Sequence, residues 1–298
     1  MAQCSAVTFR AATAPQLDVV VVQRCRVDLV AETVQSLLDQ GVPLRIVVVD
    51  NASPQRVEDR VRLPAGVVVL AQDRNRGFGP AANIGLRWFL ARPGASWLAV
   101  VPHDARPEPD CLPRLLAELR RRPDAGLASA DVGDGLTPAV DRYFGAIPQP
   151  ARVIHGWEPA GYPHGTLLVA RRRCLEQVGL FDERYFAYVE EADLALRVRK
   201  AGWHVGVVRG ANVRNTGLGS NIAVIDYLQL RNTLLLLRDH FGRYAVTLRA
   251  GMALWHLAIG LVRPGRRGPY WSFRARCRAL VDYGRRRFGP PPHQPGAF

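Results

Sequence analysis

The feature that most narrows the folds open to this chain is an alternation between short β-branched runs and amphipathic stretches in its first 130 residues. DVVVVQ (18–23), LRIVVVDN (44–51), GVVVL (66–70) and SWLAVVPHDA (96–105) each read as a buried strand. Apolar residues at helical spacing follow: Val30, Val34, Leu37 and Leu38 after the first run, Ala82, Leu86, Phe89 and Leu90 after the third, Leu112, Leu115, Leu116 and Leu119 after the fourth. Strand and helix in turn are the signature of βαβ units around a parallel sheet. The predicted fold class is therefore α/β, a mostly parallel sheet flanked by helices. In such sheets ligands gather at the carboxyl ends of the strands, and two of these strands end in acids, Asp50 and Asp104. Ser53 and Pro54 supply a helix cap and first helical position, which leaves Asp50 available for a ligand.

From Val132 to Pro163 the pattern dissolves into Gly, Pro and aromatic residues, which reads as a long functional loop. Periodicity resumes in GTLLVARR (165–172), in a helix beginning within YVEEADLALR (188–197) and ending at Gly202, and in HVGVV (204–208). VIDYLQLRNTLLLLRDHFG and AVTLRAGMALWHLAIGLV read as two long C-terminal helices. The predicted organisation is an N-terminal extension (1–16), an α/β domain (17–240), basic amphipathic helices (241–288) and a disordered Pro-rich tail (289–298).

Charge is uneven. The net charge is +14, and the chain from Arg238 onward holds twelve Arg against two Asp. With Trp255, Trp271 and the arginines between 263 and 287, this end resembles a peripheral anchor on anionic lipid, and a solvated basic face is the plain alternative. Five cysteines without a CxxC pair argue against structural zinc and a disulfide framework, and fit a reducing cytosol. The first residues carry no signal-peptide core, so the expected location is cytoplasmic, with peripheral contact at the inner face of the plasma membrane.

Several residues carry candidate chemistry. Asp104 is a candidate ligand for a hard divalent cation bridging phosphates. NRGFGPAANIG (75–85) has small residues where a backbone must approach a ligand, and Arg76 to face a phosphate; an ordinary strand-to-helix turn reads equally well. Glu190, Glu191 and Asp193 start a helix, where acids are welcome for the dipole alone, and Asp193 and Arg197 suit a surface pair. The apolar flanks YFAY and LAL favour partial burial and mutually perturbed carboxylates, as a general base requires.

Together and in order, VVVDNAS (47–53), NRGFGPAANIG, VPHDARP (101–107), GLFDERYFAYVEEADLALRVRKAGW (179–203) and YLQLRN (227–232) resemble bacterial glycosyltransferase family 2, the rhamnosyltransferase-like branch with a GT-A fold. The resemblance covers roughly residues 17 to 240. It implies an inverting enzyme with a nucleotide-diphosphate-sugar donor, dTDP- or UDP-linked, and a lipid-linked, cell-envelope glycan or small-molecule acceptor. Asp50, Asn75, Arg76, Gly77 and Asn83 would line the donor pocket. Asp104 would match the last acid of the family's metal element and hold Mg²⁺ or Mn²⁺, with Pro102 at the place of the first acid. Asn215 stands where relatives commonly place a His ligand, and QRCR (23–26) where Thr-aromatic-Asn is usual. Glu191 would be the base, with Glu190 the alternative, and Asp193 would orient the acceptor or hold the helix start. The rival reading is a GT-A-like binding protein without catalysis, docked on anionic membrane or nucleic acid, for which Pro102 and Asn215 speak. A nucleotidyltransferase would need an N-terminal Gly-rich activating loop, which is absent from the sequence.

Overall fold

A computed structural model describes residues 15–215 and 221–292. The predicted disordered tail beyond residue 292 and the predicted extension before residue 15 lie outside the described residues. The four apolar runs form β1 (Leu17–Gln23), β2 (Leu44–Asp50), β3 (Val68–Ala71) and β4 (Trp97–Pro102), all parallel, in the spatial order β3-β2-β1-β4. Their continuous apolar character follows from burial on both faces. Along β1, Val19 and Val21 enter one core with Val30, Val34 and Leu37 of α1 (Val27–Leu38) and Leu112, Leu115 and Leu119 of α4 (Cys111–Arg120). Val20 and Val22 enter the other with Leu86 and Phe89 of α3 (Phe78–Leu90). The result is a helix–sheet–helix sandwich.

The sheet continues through β10 (Leu168–Arg171), antiparallel to both neighbours, then β6 (Ala125–Asp131), β11 (His204–Asn215) and the short β5 (Ala105–Pro107). Between β10 and β11 lie α5 (Arg172–Val178) and α6 (Glu190–Lys200), whose Leu194 and Val198 pack into the α3 side of the core.

The expectation of an unpatterned loop over 132–163 is corrected. β7 (Leu136–Asp141) and β8 (Gly145–Pro150) form an antiparallel hairpin, and β9 (Gly156–Pro159) pairs with β11. Two-stranded pairing tolerates prolines whose N–H is not needed in a ladder, so Pro138 and Pro148 face each other across the hairpin register.

The two C-terminal helices meet at Gly242, whose φ of 85° breaks the long α7 (Ile222–Val262). Only glycine takes that backbone region at little cost. α8 (Phe273–Gly284) then packs along α7.

Candidate active site

A cavity of about 860 Å³ opens at the carboxyl ends of β1 and β4. Its lining draws on the end of β1 (Val22, Arg24, Arg26), on Asn51, Asn75, Gly77 and Phe78, and on Pro102, His103 and Asp104. His164–Thr166, Phe186–Tyr188, Glu190, Glu191 and Asn215 complete the lining. Cys25 also lines an adjoining hollow of about 550 Å³ with Asp28, Pro54 and Gln55.

The loop before α3 is held by a residue to which no site role was assigned from sequence. Asn51 donates from Nδ2 to Asn75 Oδ1 and to the Gly77 carbonyl, both at 3.0 Å, and accepts from the Arg76 backbone N–H at 2.9 Å. Gly77 (φ 93°) lies so close to the next segment that an added Cβ would stand 2.1 Å from the Phe186 carbonyl oxygen. Here glycine is required for the backbone region and for the approach alike.

Asp50 is buried, and its carboxylate accepts from the backbone N–H groups of Ser53 and Val57, each at 3.1 Å. The expected Ser53 cap is thereby corrected. The helix α2 (Val57–Arg60) begins later, Asp50 ties down the turn that leads into it, and the Ser53 hydroxyl accepts from Cys25 N at 3.0 Å. Asn83 is also fully buried and lies outside the cavity lining: it donates to the Phe181 carbonyl (2.8 Å) and Glu183 Oε1 (3.2 Å) and accepts from Phe181 N (3.0 Å). Arg76 turns its guanidinium to Asp73 at 3.3 Å and is likewise absent from the lining.

The acidic cluster divides by helix face. Asp193 points away from the cavity, accepting from Arg197 Nε at 2.9 Å and meeting His240 Nε2 at 2.8 Å, so it fastens α6 to α7. Glu190 and Glu191 line the cavity. Glu190 is almost fully buried, with Oε2 lacking a hydrogen-bond partner. Burial, and then the charge of Glu191, pushes its carboxyl well above the usual range. Glu191 is only partly covered, and burial raises it to about 7. Its Oε1 would lie 2.3 Å from a Cβ at Gly165, so the bare glycine gives the carboxylate its place.

Both glutamates follow a strained turn. Phe186, Tyr188 and Val189 all have positive φ (67°, 66° and 76°), a conformation that costs non-glycine residues roughly 1–3 kcal/mol each and persists only where the surroundings enforce it. The enforcement comes from α7. Asn232 Nδ2 donates to the carbonyls of Tyr185 (2.9 Å), Ala187 (2.8 Å) and Tyr188 (2.8 Å), and its Oδ1 accepts from the fully buried Arg231 at 3.0 Å. Arg231 also donates to Tyr227 Oη at 3.2 Å, whose hydroxyl donates to Asp282 of α8 at 2.9 Å. YLQLRN was legible as a motif, but its role depends on a turn distant in sequence.

Two oxygen donors of the lining suit a divalent cation. Asp104 and Asn215 both line the cavity, and pairing of β5 with β11 sets Asn215 opposite Ala105, the residue after Asp104. Carboxylate and amide oxygens suit Mg²⁺ or Mn²⁺. Among the described residues no group of three or more His, Cys, Asp or Glu side chains is arranged to hold a metal, so the remaining ligands of such an ion would have to be phosphate and water.

Residues 18–179 match the family model of glycosyl transferase family 2. The N-acetylglucosaminyl-diphospho-decaprenol L-rhamnosyltransferase of Mycobacterium tuberculosis is 28% identical over 257 residues, covering 71% of this chain and 82% of that relative. In fold the chain is similar to a mannosyltransferase, PcManGT from Pyrobaculum calidifontis, solved with GDP-Man and Mn²⁺ (TM-score 0.56, 15% identity, 92% of this chain and 87% of that one). It is similar also to GalNAc-T7 solved with UDP, GalNAc and Mn²⁺ (TM-score 0.63, 15% identity, 91% of this chain and 55% of that one).

Proposed function

From the premise that the chain belongs to glycosyl transferase family 2, we propose that it moves a hexosyl group, with inversion, from a dTDP- or UDP-linked donor to a hydroxyl of a lipid-linked glycan at the cytoplasmic membrane surface. The rhamnosyl activity on a diphospho-decaprenol acceptor in the name of its relative makes a rhamnosyl donor the first to try. The observation that carries the proposal is Glu191: a carboxylate facing the cavity at the sheet's carboxyl edge, raised to about 7.

A base of that strength is half ionised near neutrality, where a general base combines availability with proton affinity. Glu191 takes the proton of the acceptor hydroxyl as that oxygen bonds to the anomeric carbon. The bond from that carbon to the diphosphate oxygen breaks, and the nucleoside diphosphate leaves with its electron pair. Glu190, buried beside it, raises the cost of a second charge and holds the proton of the pair. Gly77 and Phe78 bring the N-terminus of α3 to the cavity, where helix N–H groups favour an anionic leaving group. Asp50 acts indirectly in this reading, fixing the 51–57 turn whose Pro54 and Gln55 line the hollow suited to the nucleobase end. Asp104 and Asn215 would hold a divalent cation, which would neutralise the diphosphate as it leaves. Asp193 and Arg197 fasten α6, which carries the glutamates, Asn83 ties α3 to the 181–183 segment, and none of the three lines the cavity.

The test is Glu191→Gln in the full chain, with a panel of nucleotide sugars and Mg²⁺ or Mn²⁺. Transfer is expected to fall by about 10²–10⁴-fold, with donor binding by thermal shift kept. Transfer at the wild-type rate would remove Glu191 from the role of base.

A further inference from the structure

The second half of α7 carries an apolar stripe that the rest of the fold leaves uncovered. Tyr244, Leu248, Gly251, Trp255, Ala258 and Val262 follow one another at three- and four-residue steps and are all exposed, Trp255 at 64% and Val262 at 79%. That spacing lines them along one helix face about 27 Å long. The opposite face is satisfied within the protein. Ala245, Val246 and Ala253 share a buried cluster with Ala279 of α8, and Gly260 lies against the Trp271 indole. The helix is thus apolar on both sides, with a partner on only one.

The segment that follows the stripe is cationic. Between residues 263 and 287 the chain has nine arginines and one acid, Asp282. Arg276 and Arg278 pair with Asp226 and Asp282. Arg263, Arg266, Arg274, Arg285, Arg286 and Arg287 are exposed and, among the described residues, take part in no ion pair. Exposed arginines that directly follow an exposed Trp- and Leu-bearing helix face in the chain match an anionic phospholipid surface: phosphates outside, acyl chains beneath. Nucleic acid would meet the arginines and leave the stripe in water.

We infer that the exposed face of α7 from Tyr244 to Val262 lies in the plane of an anionic bilayer, with the exposed arginines of the segment that follows it on the lipid headgroups. The helix is long and apolar enough to cross a membrane, but crossing would strip α8 from Ala253 and Trp271 from Gly260 and carry the half-buried Arg249 guanidinium into hydrocarbon. Lying in the surface keeps that packing. The docked helix also stands directly behind the cavity, since Phe186 of the cavity wall belongs to the same apolar cluster as Ala245, Val246 and Ala253. The inference rests on the proposed lipid-linked acceptor for its purpose, while its test needs no acceptor.

The experiment is flotation of the full chain with phosphatidylcholine vesicles, with and without phosphatidylglycerol, at low and high salt. Binding should require phosphatidylglycerol and weaken with salt. Each charge reversal among Arg285, Arg286 and Arg287 should cost about fivefold or more, and Leu248→Glu with Trp255→Glu at least about tenfold. The melting temperature and donor binding without vesicles should stay at wild-type values in the latter variant, which separates lost docking from lost folding. Equal binding to neutral vesicles, undiminished binding of the Leu248→Glu/Trp255→Glu chain, resistance to alkaline carbonate extraction, or equally tight binding to duplex DNA that survives Trp255→Glu would each overturn the inference. Vesicle binding as expected, with no nucleotide sugar bound in solution, would instead defeat the transferase reading and leave the docking face standing.

Discussion

Two adjacent glutamates on the first turn of one helix meet different surroundings, and their protonation follows from that difference. Glu191 is raised from 4.5 to about 7 by burial, and Glu190 is raised further by deeper burial and by its neighbour's charge. The proposed role of Glu191 as base requires its ionised form, so the kcat/KM profile should climb with pH up to about 7 and then level. For stability the sign is opposite. Carboxyls whose folded pKa exceeds the unfolded value bind more protons when folded, so stability is greatest below the unfolded value of 4.5 and declines as pH rises through about 7. Glu190→Gln preserves the shape and removes the cost of keeping protonated, in the folded chain, a carboxyl that ionises when unfolded. It should raise the melting temperature by a few degrees at neutral and alkaline pH, and by far less below pH 4.5, where the carboxyl is protonated in the folded and the unfolded chain alike. Calorimetric melts across that range check the difference; an increase that is the same at both ends would remove the burial of charge as its cause.

At the scale of elements, the glutamates are only as well placed as the turn before them, and that turn is held from α7. Asn232 reaches the carbonyls of Tyr185, Ala187 and Tyr188 with its two amide hydrogens, and a carbonyl left unpaired in such a setting costs roughly 1–3 kcal/mol. Asn232→Ala should therefore destabilise the fold by several kcal/mol and lower kcat through misplacement of Glu190 and Glu191, with the KM for donor changed little. Denaturant titration together with steady-state kinetics reads both; a kcat at the wild-type level would show that the turn holds its strained path without α7. This coupling marks the limit of what the sequence discloses. β1 to β4 and their helices were legible because burial on both faces makes each run continuously apolar, and the acids at their ends follow from chain direction. The division of labour among Glu190, Glu191 and Asp193 was not, because all three suit a helix start, and only the His240 and Arg197 contacts show which acid faces inward. Asn83 likewise reads as a loop donor until its partners across the core, Phe181 and Glu183, are seen. The β7–β8 hairpin escaped notice because Gly and Pro conceal its alternation.

For the whole molecule the question is whether the catalytic half stands without the C-terminal helices. The +14 net charge sits mainly in this last part, which suggests a detachable basic appendage following an α/β domain that ends near residue 240. The packing argues otherwise. One buried cluster takes Phe186 from the catalytic turn, Val224, Tyr227, Leu228, Leu230, Leu234 and Leu237 from the first half of α7, Ala245, Val246 and Ala253 from the second half, and Ala279 from α8. The polar relay runs through the same interior, from Asp282 by way of Tyr227 and Arg231 to Asn232 and the turn. A chain ending at His240 would open Val224, Leu228 and Leu234 to water, at up to about 1.5–3 kcal/mol for each large side chain fully exposed. It would also leave Tyr227 without Asp282. Such a chain should melt at a temperature at least 10 degrees lower, as roughly expected when several kcal/mol are lost from a chain of this size. It should also lose transfer to a water-soluble acceptor mimic, for which membrane docking is irrelevant. That acceptor separates the two roles of the C-terminal helices: full activity of the truncated chain on the soluble mimic would reduce them to a membrane anchor, whereas its loss, with Trp255→Glu in the full chain still active on the same mimic, makes them part of the scaffold that sets the glutamates.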